Sequence, residues 1–314
     1  MPFAPKHPQP KISIGILTRN AGPLFHRVIN ALIKQQTDHP FEIVILDSAS
    51  KDDTVSFAES KNVKAIPYRP ARFRFGAARD YLFDRTRGEI IVTISQDVLP
   101  ASPIWLQTLI QPILDAKADA TVGEQLPHPG GYAFYWDYHG SWLRTIPVRF
   151  DQKFGRIAIS CTNLAIRRSV WEKLRFGDCE TIEDRVMQVK LFENNHRMMQ
   201  VKQALSYHGH DYTWKDLSNR TASFSMGFAR LGHPYTLWTL LRDLLQPSRY
   251  AITAQALLGK KLRSWKEFAY PFAMCWMQYQ GSRKVRNEPK PQYYRLFDPD
   301  PRTLNPKPST AAGY

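Results

Sequence analysis

Cysteine is scarce in this chain of 314 residues: Cys161, Cys179 and Cys275 are too few and too scattered for a disulfide framework or a thiolate zinc site. They are expected to be reduced, buried thiols. Long apolar runs are missing too. No stretch reaches the roughly 18 to 20 apolar residues of a membrane span, and the opening Met1-Pro-Phe-Ala-Pro-Lys-His-Pro lacks a signal peptide's apolar segment. The expectation is a cytoplasmic protein, peripheral on the inner face of the cell membrane if it meets lipid at all. Acidic residues are outnumbered, 28 against 43 Lys and Arg, which leaves a net charge of +15. Such an excess favours polyanions, nucleotide phosphates or an anionic membrane face. Arg69, Arg72, Arg74 and Arg79 form one concentration of it. Lys260, Lys261, Arg263, Lys266, Arg283, Lys284 and Arg286 form another, better suited to a surface contact than to a pocket.

What the chain does contain is a regular alternation. Residues 11–122 read as strand, helix, strand, helix, the pattern of a doubly wound sheet. Strands are expected at Lys11–Thr18, Phe41–Leu46, Val63–Ile66, Ile90–Ile94 and Ala120–Gly123. Helices are expected at Leu24–Gln35, from Ser50–Thr54 to Ser60, at Gly76–Arg85 and at Trp105–Ala116. The second half differs. Gly130–Phe150 is aromatic-rich and weakly periodic, which reads as a loop region or acceptor surface. A strand at Ile157–Ile166 leads into a helix at Ser169–Leu174, followed by a helix at Glu183–Asn194 and a short strand at Ala204–His208. Leu217–Gln280 is mainly helical, with Pro234, Pro247 and Pro271 as interruptions, and residues 287–314 form a Pro-rich tail.

Two acids fall at expected strand ends, Asp47 after Phe41-Glu-Ile-Val-Ile-Leu and Asp97 after Glu89-Ile-Ile-Val-Thr-Ile-Ser-Gln. In an open α/β sheet, ligands gather beyond the carboxyl ends of parallel strands, so the pair suggests one crevice with a charged, metal-bound ligand. Further motifs follow in order: Thr18-Arg-Asn20, Asp47-Ser-Ala-Ser-Lys-Asp-Asp-Thr54, Phe75-Gly-Ala-Ala-Arg79, Ser95-Gln-Asp97 and Ile182-Glu-Asp184. Together they resemble family 2 glycosyltransferases of the GT-A fold, and within them the rhamnosyltransferase-type branch, where Gln-Asp replaces the usual Asp-x-Asp. The resemblance covers roughly residues 11–232. It departs from the common Asp-x-Gly-Ser-x-Asp-Gly pattern, because Ala49 and Asp53 stand at glycine positions.

The resemblance implies a role for each motif. Asp47 would accept the N3–H of a uracil or thymine ring, with Thr18 and Arg19 beside the base. Arg79, on the first turn of a helix, would meet the diphosphate. Asp97 would hold Mg²⁺ or Mn²⁺ against the two phosphates, with Gln96 beside it and His208 or His210 as a further ligand. Two histidines at i and i+2 of a strand face the same way. Asp184 would be the general base, kept ionised at a helix start. Gln125 follows a strand end and would touch the sugar. Plainer readings stand beside these: Asp47 capping its own turn, Glu183 and Asp184 as ordinary helix-start acids, the histidines bonded in a tight turn, Gln125 in packing. Tyr132, Tyr135, Trp136, Tyr138 and Trp142 read as core or as an acceptor-stacking surface. Trp238, Trp265, Phe268, Phe272 and Trp276 read as helix packing or as a membrane-facing surface.

The expected fold is therefore α/β: a GT-A type open nucleotide-binding sheet flanked by helices, with a mainly helical C-terminal extension. Residues 1–232 would form the glycosyltransferase domain, with a nucleotide-binding half at 11–123 and an acceptor half at 124–232. Residues 233–286 would form the extension and 287–314 the tail. The expected activity is inverting transfer of a sugar, L-rhamnose first among candidates, from a nucleotide-diphosphate donor. The acceptor would be a saccharide or lipid-linked molecule in cell-surface polysaccharide synthesis. The Gln-x-x-Arg-Trp signature of processive synthases is absent, which points to single-sugar addition. No nucleic-acid partner is expected. Two alternatives are a nucleotidyltransferase, which would want a more glycine-rich and basic loop after the first strand, and a non-catalytic polyanion-binding protein.

Overall fold

Aliphatic strands buried on both faces alternate with amphipathic helices through the first half of the chain, as a covered sheet requires. The computed structural model describes residues 10–288 apart from 130, 132, 141 and 142. The first half runs β1 (Ile12–Thr18), α1 (Gly22–Ile33), β2 (Phe41–Asp47), α2 (Thr54–Ser60), β3 (Lys64–Pro67), α3 (Phe75–Phe83), β4 (Ile90–Ile94), β5 (Leu99–Pro100), α4 (Trp105–Leu114) and β6 (Ala120–Leu126). Then come α5 (Tyr135–His139), α6 (Thr145–Lys153), β7 (Asn163–Arg167), α7 (Arg168–Leu174), α8 (Glu183–Glu193) and β8 (Met198–Tyr207). Four helices follow: α9 (Trp214–Arg230), α10 (Leu237–Leu244), α11 (Pro247–Leu258) and α12 (Trp265–Lys284).

All eight strands join one open sheet in the order β3-β2-β1-β4-β7-β6-β8-β5. β3, β2, β1 and β4 are parallel, and β7 runs antiparallel between β4 and β6. Period-2 alternation splits the core in two. Ile12, Ile14 and Ile16 face α1 and α4 on one side, while Ile91, Val44 and Leu46 face α3 and α7 on the other. Because β1, β2 and β4 point the same way, their carboxyl ends open on one edge of the sheet. That edge carries Thr18, Asp47 and, three residues past β4, Asp97.

Several sequence expectations change. Residues 130–150 are not a loop region: α5 and most of α6 lie there, with Phe134 and Trp136 buried. β8 is ten residues long rather than a short strand. Its Met198–Val201 stretch pairs with β6 while Lys202 and Gln203 face water, so it has no continuous apolar run to announce it. β7 begins only at Asn163. Pro271 does not interrupt α12. A proline removes the N–H that would bond the carbonyl four residues back; here that carbonyl, of Glu267, accepts the indole N–H of Trp136 instead. Tyr132, Trp142 and residues 289–314 of the tail lie outside the described residues. The three cysteines are free and buried. One apolar cluster joins Phe134 and Trp136 of the middle segment to Tyr270 and Met274 of α12, so packing runs without a break across residue 232.

Candidate active site

Asp97 is half-buried and faces two imidazoles. Its Oδ1 lies 3.7 Å from His208 Nε2 and its Oδ2 3.7 Å from His210 Nε2. These separations are too long for hydrogen bonds. They suit three ligand atoms arranged around a shared cation, and the three lie within 4.8 Å of one another. Among the described residues this is the only such cluster of potential metal ligands. Burial alone would raise the Asp97 pKa, but His208 and then His210 outweigh it and hold the carboxylate below its ordinary range. Burial, and then the neighbouring His208, push the His210 pKa down, which favours the neutral form that a metal needs.

Gln125 sets the orientation of His208. The β6–β8 register shifts after Gly123, so that Gln125 lies opposite Ser206, two residues before the histidine. Its Oε1 is 3.1 Å from His208 Nδ1, and its amide N–H donates to Thr162. With Nδ1 bonded to Gln125, Nε2 is the ring atom left on the Asp97 side, where it could serve a cation shared with that carboxylate. Tyr138 holds the same loop by donating its hydroxyl to the His208 carbonyl. Gln125 thus has both ends of its amide engaged, one of them on the histidine.

Gln96 also has a structural task. Its Oε1 accepts the Arg19 N–H at 2.9 Å and its amide returns to the Arg19 carbonyl at 3.4 Å, lacing the end of β1 to the turn after β4. The Arg19 side chain is exposed at that corner. Asp47 is buried and accepts three bonds: from the Thr18 hydroxyl at 3.1 Å, the Ser50 N–H at 2.9 Å and the Ser50 hydroxyl. It therefore does cap its own turn. This grip holds Ala49 in the left-handed conformation, φ 63°, at the position where the resembled pattern has glycine. A carboxylate offers about four lone-pair sites, so one remains on Oδ2.

Arg79 requires a correction. It does not reach toward a diphosphate: it is 6% exposed, with Nε donating to Glu183 at 2.9 Å and a terminal nitrogen to Thr93 of β4 at 2.7 Å. Its position on the inner face of α3, between Ala78 and Leu82, buries it and leaves Glu183 as its counter-charge. Arg79 thereby bolts the start of α8 to the strand that leads to Asp97. Arg72 and Arg74 add outer rungs, pairing with Glu180 and Asp178. Asp80 completes the seam by accepting the Trp171 indole and the N–H groups of Phe176 and Gly177. A Cβ at Gly76 would lie 2.2 Å from the Gly177 carbonyl, so only glycine lets these segments meet.

Asp184 is the second residue of α8, which starts directly after Ile182, whose φ of 54° and ψ of 32° place a β-branched residue in the left-handed region. Such a residue is a genuine outlier there, held only where its surroundings over-determine it. Gly227 of α9 provides the space, since a Cβ at that position would come within 2.6 Å of Ile182 Cγ1. Burial, then the charge of Glu183, push the Asp184 pKa up to about 6, against the opposing pull of Arg185. The two corners are joined through residues 160–163. Thr162 bonds Gln125 and accepts the Ser95 N–H, while Cys161 feels the charges of Arg79, Glu183 and Asp184.

The structure thus brings Asp97, His208, His210 and Gln125 together, sets Thr18, Asp47, Arg19 and Gln96 along the adjoining strand ends, and ties Asp184 to them through Arg79. Sequence reasoning missed Glu183 as the partner of Arg79, the Ile182–Gly227 fit and the anchoring role of Asp80. Asp80 did carry a signal: an acid beside Ala78, Leu82 and Phe83 on the apolar face of a helix needs buried donors.

Residues 13–175 match the model of glycosyl transferase family 2. The chain belongs to that family. Among related proteins, the O-antigen chain rhamnosyltransferase RfbN of Salmonella typhimurium is 31% identical over 65% of this chain and 68% of its own. The O-antigen chain rhamnosyltransferase WbaN of Salmonella anatum is 26% identical over the same shares. The fold is similar to that of the mannosyltransferase PcManGT from Pyrobaculum calidifontis, solved with GDP-Man and Mn²⁺, at a TM-score of 0.61 and 17% identity over 90% of this chain and 88% of that one. Glucosyl-3-phosphoglycerate synthase of Mycobacterium tuberculosis, solved with Mn²⁺, UDP-glucose and phosphoglyceric acid, gives 0.57 and 19% identity over 72% and 81%. This family 2 member is a glycosyltransferase: its mixed open sheet has GT-A structural neighbours, and its own C-terminal part is helical. No helix among the described residues is long and apolar enough to cross a membrane.

Proposed function

We propose that this glycosyltransferase transfers L-rhamnose from dTDP-L-rhamnose, with inversion, to a lipid-linked or growing surface polysaccharide. The rhamnosyltransferase relatives support the sugar. The observation that carries the catalytic reading is the Asp97–His208–His210 cluster, linked through Arg79 and Glu183 to an acid of raised pKa.

Asp184 takes the proton of the acceptor hydroxyl, whose oxygen forms a bond to the anomeric carbon from the face opposite the diphosphate. The carbon–oxygen bond to the diphosphate breaks and its electron pair leaves with the phosphate oxygen. Asp97, His208 and His210 would hold a divalent cation, and one carboxylate with two imidazoles suits Mn²⁺ better than Mg²⁺, which prefers oxygen ligands. When bound, such an ion neutralises charge on a departing diphosphate. The free lone pair of Asp47 Oδ2 is the acceptor for a thymine N3–H, Thr18 steadies that carboxylate, and Arg19, laced in place by Gln96, is the exposed cation beside the nucleotide. The family match and fold do not favour a nucleotidyltransferase or a passive polyanion binder.

A donor-hydrolysis screen with Mn²⁺ across dTDP-, UDP- and GDP-sugars tests this reading. The expected result is slow hydrolysis of dTDP-L-rhamnose that Asp97→Ala removes. Hydrolysis confined to another sugar nucleotide would overturn the donor, and indifference to Asp97→Ala would overturn the site.

A further inference from the structure

Two hollows lie around α10, and none of the side chains of the site just described lines them. This helix buries Thr239, Leu240 and Asp243 and turns its other side outward. Leu237 is 52% exposed, Trp238 76%, Leu241 46% and Leu245, at the helix end, 76%. Positions 237, 238, 241 and 245 share one helical stripe, so these side chains form a ridge rather than scattered apolar points. The ridge cannot roll inward. Asp243 on the opposite side accepts bonds from Thr145 and Tyr235 and pairs with Arg242.

A hollow flanks the ridge on each side. One, of about 700 Å³, lies toward the end of α12 and is lined by Trp238, Tyr279, Arg283 and Arg286. The other, of about 780 Å³, lies toward α6 and is lined by Trp238, Leu241, Leu245 and Arg149. Trp238 borders both. Arg149, Arg283 and Arg286 are exposed, whereas the acids of the two linings, Asp243 and Glu288, are both engaged with arginines. The face is therefore an apolar crest between cationic flanks.

We propose that this face docks on the surface of an anionic lipid bilayer. The crest, with Trp238 and Leu245 foremost, enters the headgroup and acyl boundary, and Arg149, Arg283 and Arg286 meet lipid phosphates. Eight helical residues rise about 12 Å, well short of a bilayer core of about 30 Å, so α10 lies in the interface and does not span it. A second copy of the chain fits less well. A two-fold contact would set this patch against itself and bring arginines to arginines. Docking goes beyond the proposed transfer reaction and stands whatever the donor sugar.

Co-sedimentation of the full chain with phosphatidylcholine vesicles, with and without phosphatidylglycerol, tests the proposal. Binding is expected only where phosphatidylglycerol is present, and it should weaken as salt rises. The paired change Trp238→Ser with Leu245→Ser should weaken it by about tenfold or more, and Arg149→Gln with Arg283→Gln and Arg286→Gln should remove the preference for anionic lipid. Melting temperatures of the variants should match the parent, since the altered side chains are exposed, and nucleotide-sugar hydrolysis should be unchanged. Vesicle binding unaffected by the Trp238 and Leu245 changes would overturn the proposal. So would a concentration-dependent dimer that these changes abolish without any vesicle binding.

Discussion

Asp97 and Asp184 are carboxylates at two corners joined by residues 160–163, and their surroundings drive their pKa values apart. At the Asp97 corner two imidazoles outweigh burial and keep the acid ionised, in a setting of neutral polar groups: Gln125, Thr162 and Tyr138. At the Asp184 corner burial and Glu183 prevail and raise the acid toward the pH at which a base is useful. The support differs as well. The first corner rests on a register shift and hydrogen bonds between neutral groups, the second on a buried ion pair and a strained backbone. Paired acids whose environments separate their pKa values mark a division of labour. The less basic one suits a standing positive charge and the more basic one a moving proton.

The largest expected effect lies at the second corner. Asp184→Asn should lower the transfer rate by about 10²- to 10⁴-fold, or about 3 to 5 kcal/mol of barrier, while calorimetry shows nearly unchanged binding of the nucleotide sugar. In the parent enzyme the rate should fall as pH drops through about 6, because a protonated base cannot act. A flat acid limb would dissolve the contrast between the two acids. Next in size, Arg79→Ala leaves Glu183 buried without its counter-charge and should cost about 3 to 5 kcal/mol in chemical denaturation. If stability held and only donor affinity fell, Arg79 would be a diphosphate ligand after all.

Gln125→Leu tests the first corner. Removing the group that orients His208 should weaken Mn²⁺ affinity by about 10- to 100-fold, with little change in melting temperature. Unaltered affinity would strip that corner of its hydrogen-bond scaffold. The smallest effect concerns stability. A carboxyl whose pKa is raised in the fold contributes stability that is fully present below its ordinary value of 3.8 and is lost as pH rises through about 6. Asparagine carries no such penalty. Asp184→Asn should therefore melt higher than the parent at neutral pH, by on the order of 1 kcal/mol for a partly buried group, with the gain fading toward pH 4. A variant less stable at neutral pH would mean that ionised Asp184 helps to hold the fold.

The parallel half was legible in the sequence because its physics is local. Ile90–Ile94 is β-branched, buried on both faces and bounded by polar turns, so periodicity and composition agree. The order of the acidic motifs puts the candidate site at the strand ends, where the structure has Thr18, Asp47 and Asp97. What stayed hidden was pairing at long range. Arg79 and Glu183 are 104 residues apart, and an arginine on the first turn of a helix looks the same from sequence whether it faces a ligand or a buried acid. β8 reads short in the sequence because most of its length lines the sheet margin and its apolar residues are interrupted by Gln200 and the exposed pair Lys202 and Gln203. α5 and α6 were hidden by aromatic residues, which are weak helix formers, and by the caps they lack.

Pro271 has a consequence for the order in which the chain can fold. The helical turn around it is completed by a donor 131 residues earlier, so the last long helix is finished by the middle of the molecule rather than by its own sequence. A nascent chain that has formed α12 without α5 in place holds a turn with an empty carbonyl. A chain that stops before α12 leaves the Trp136 indole N–H stranded in an apolar cluster. The C-terminal third is therefore gained or lost together with the segment around Trp136, in one long-range step rather than helix by helix.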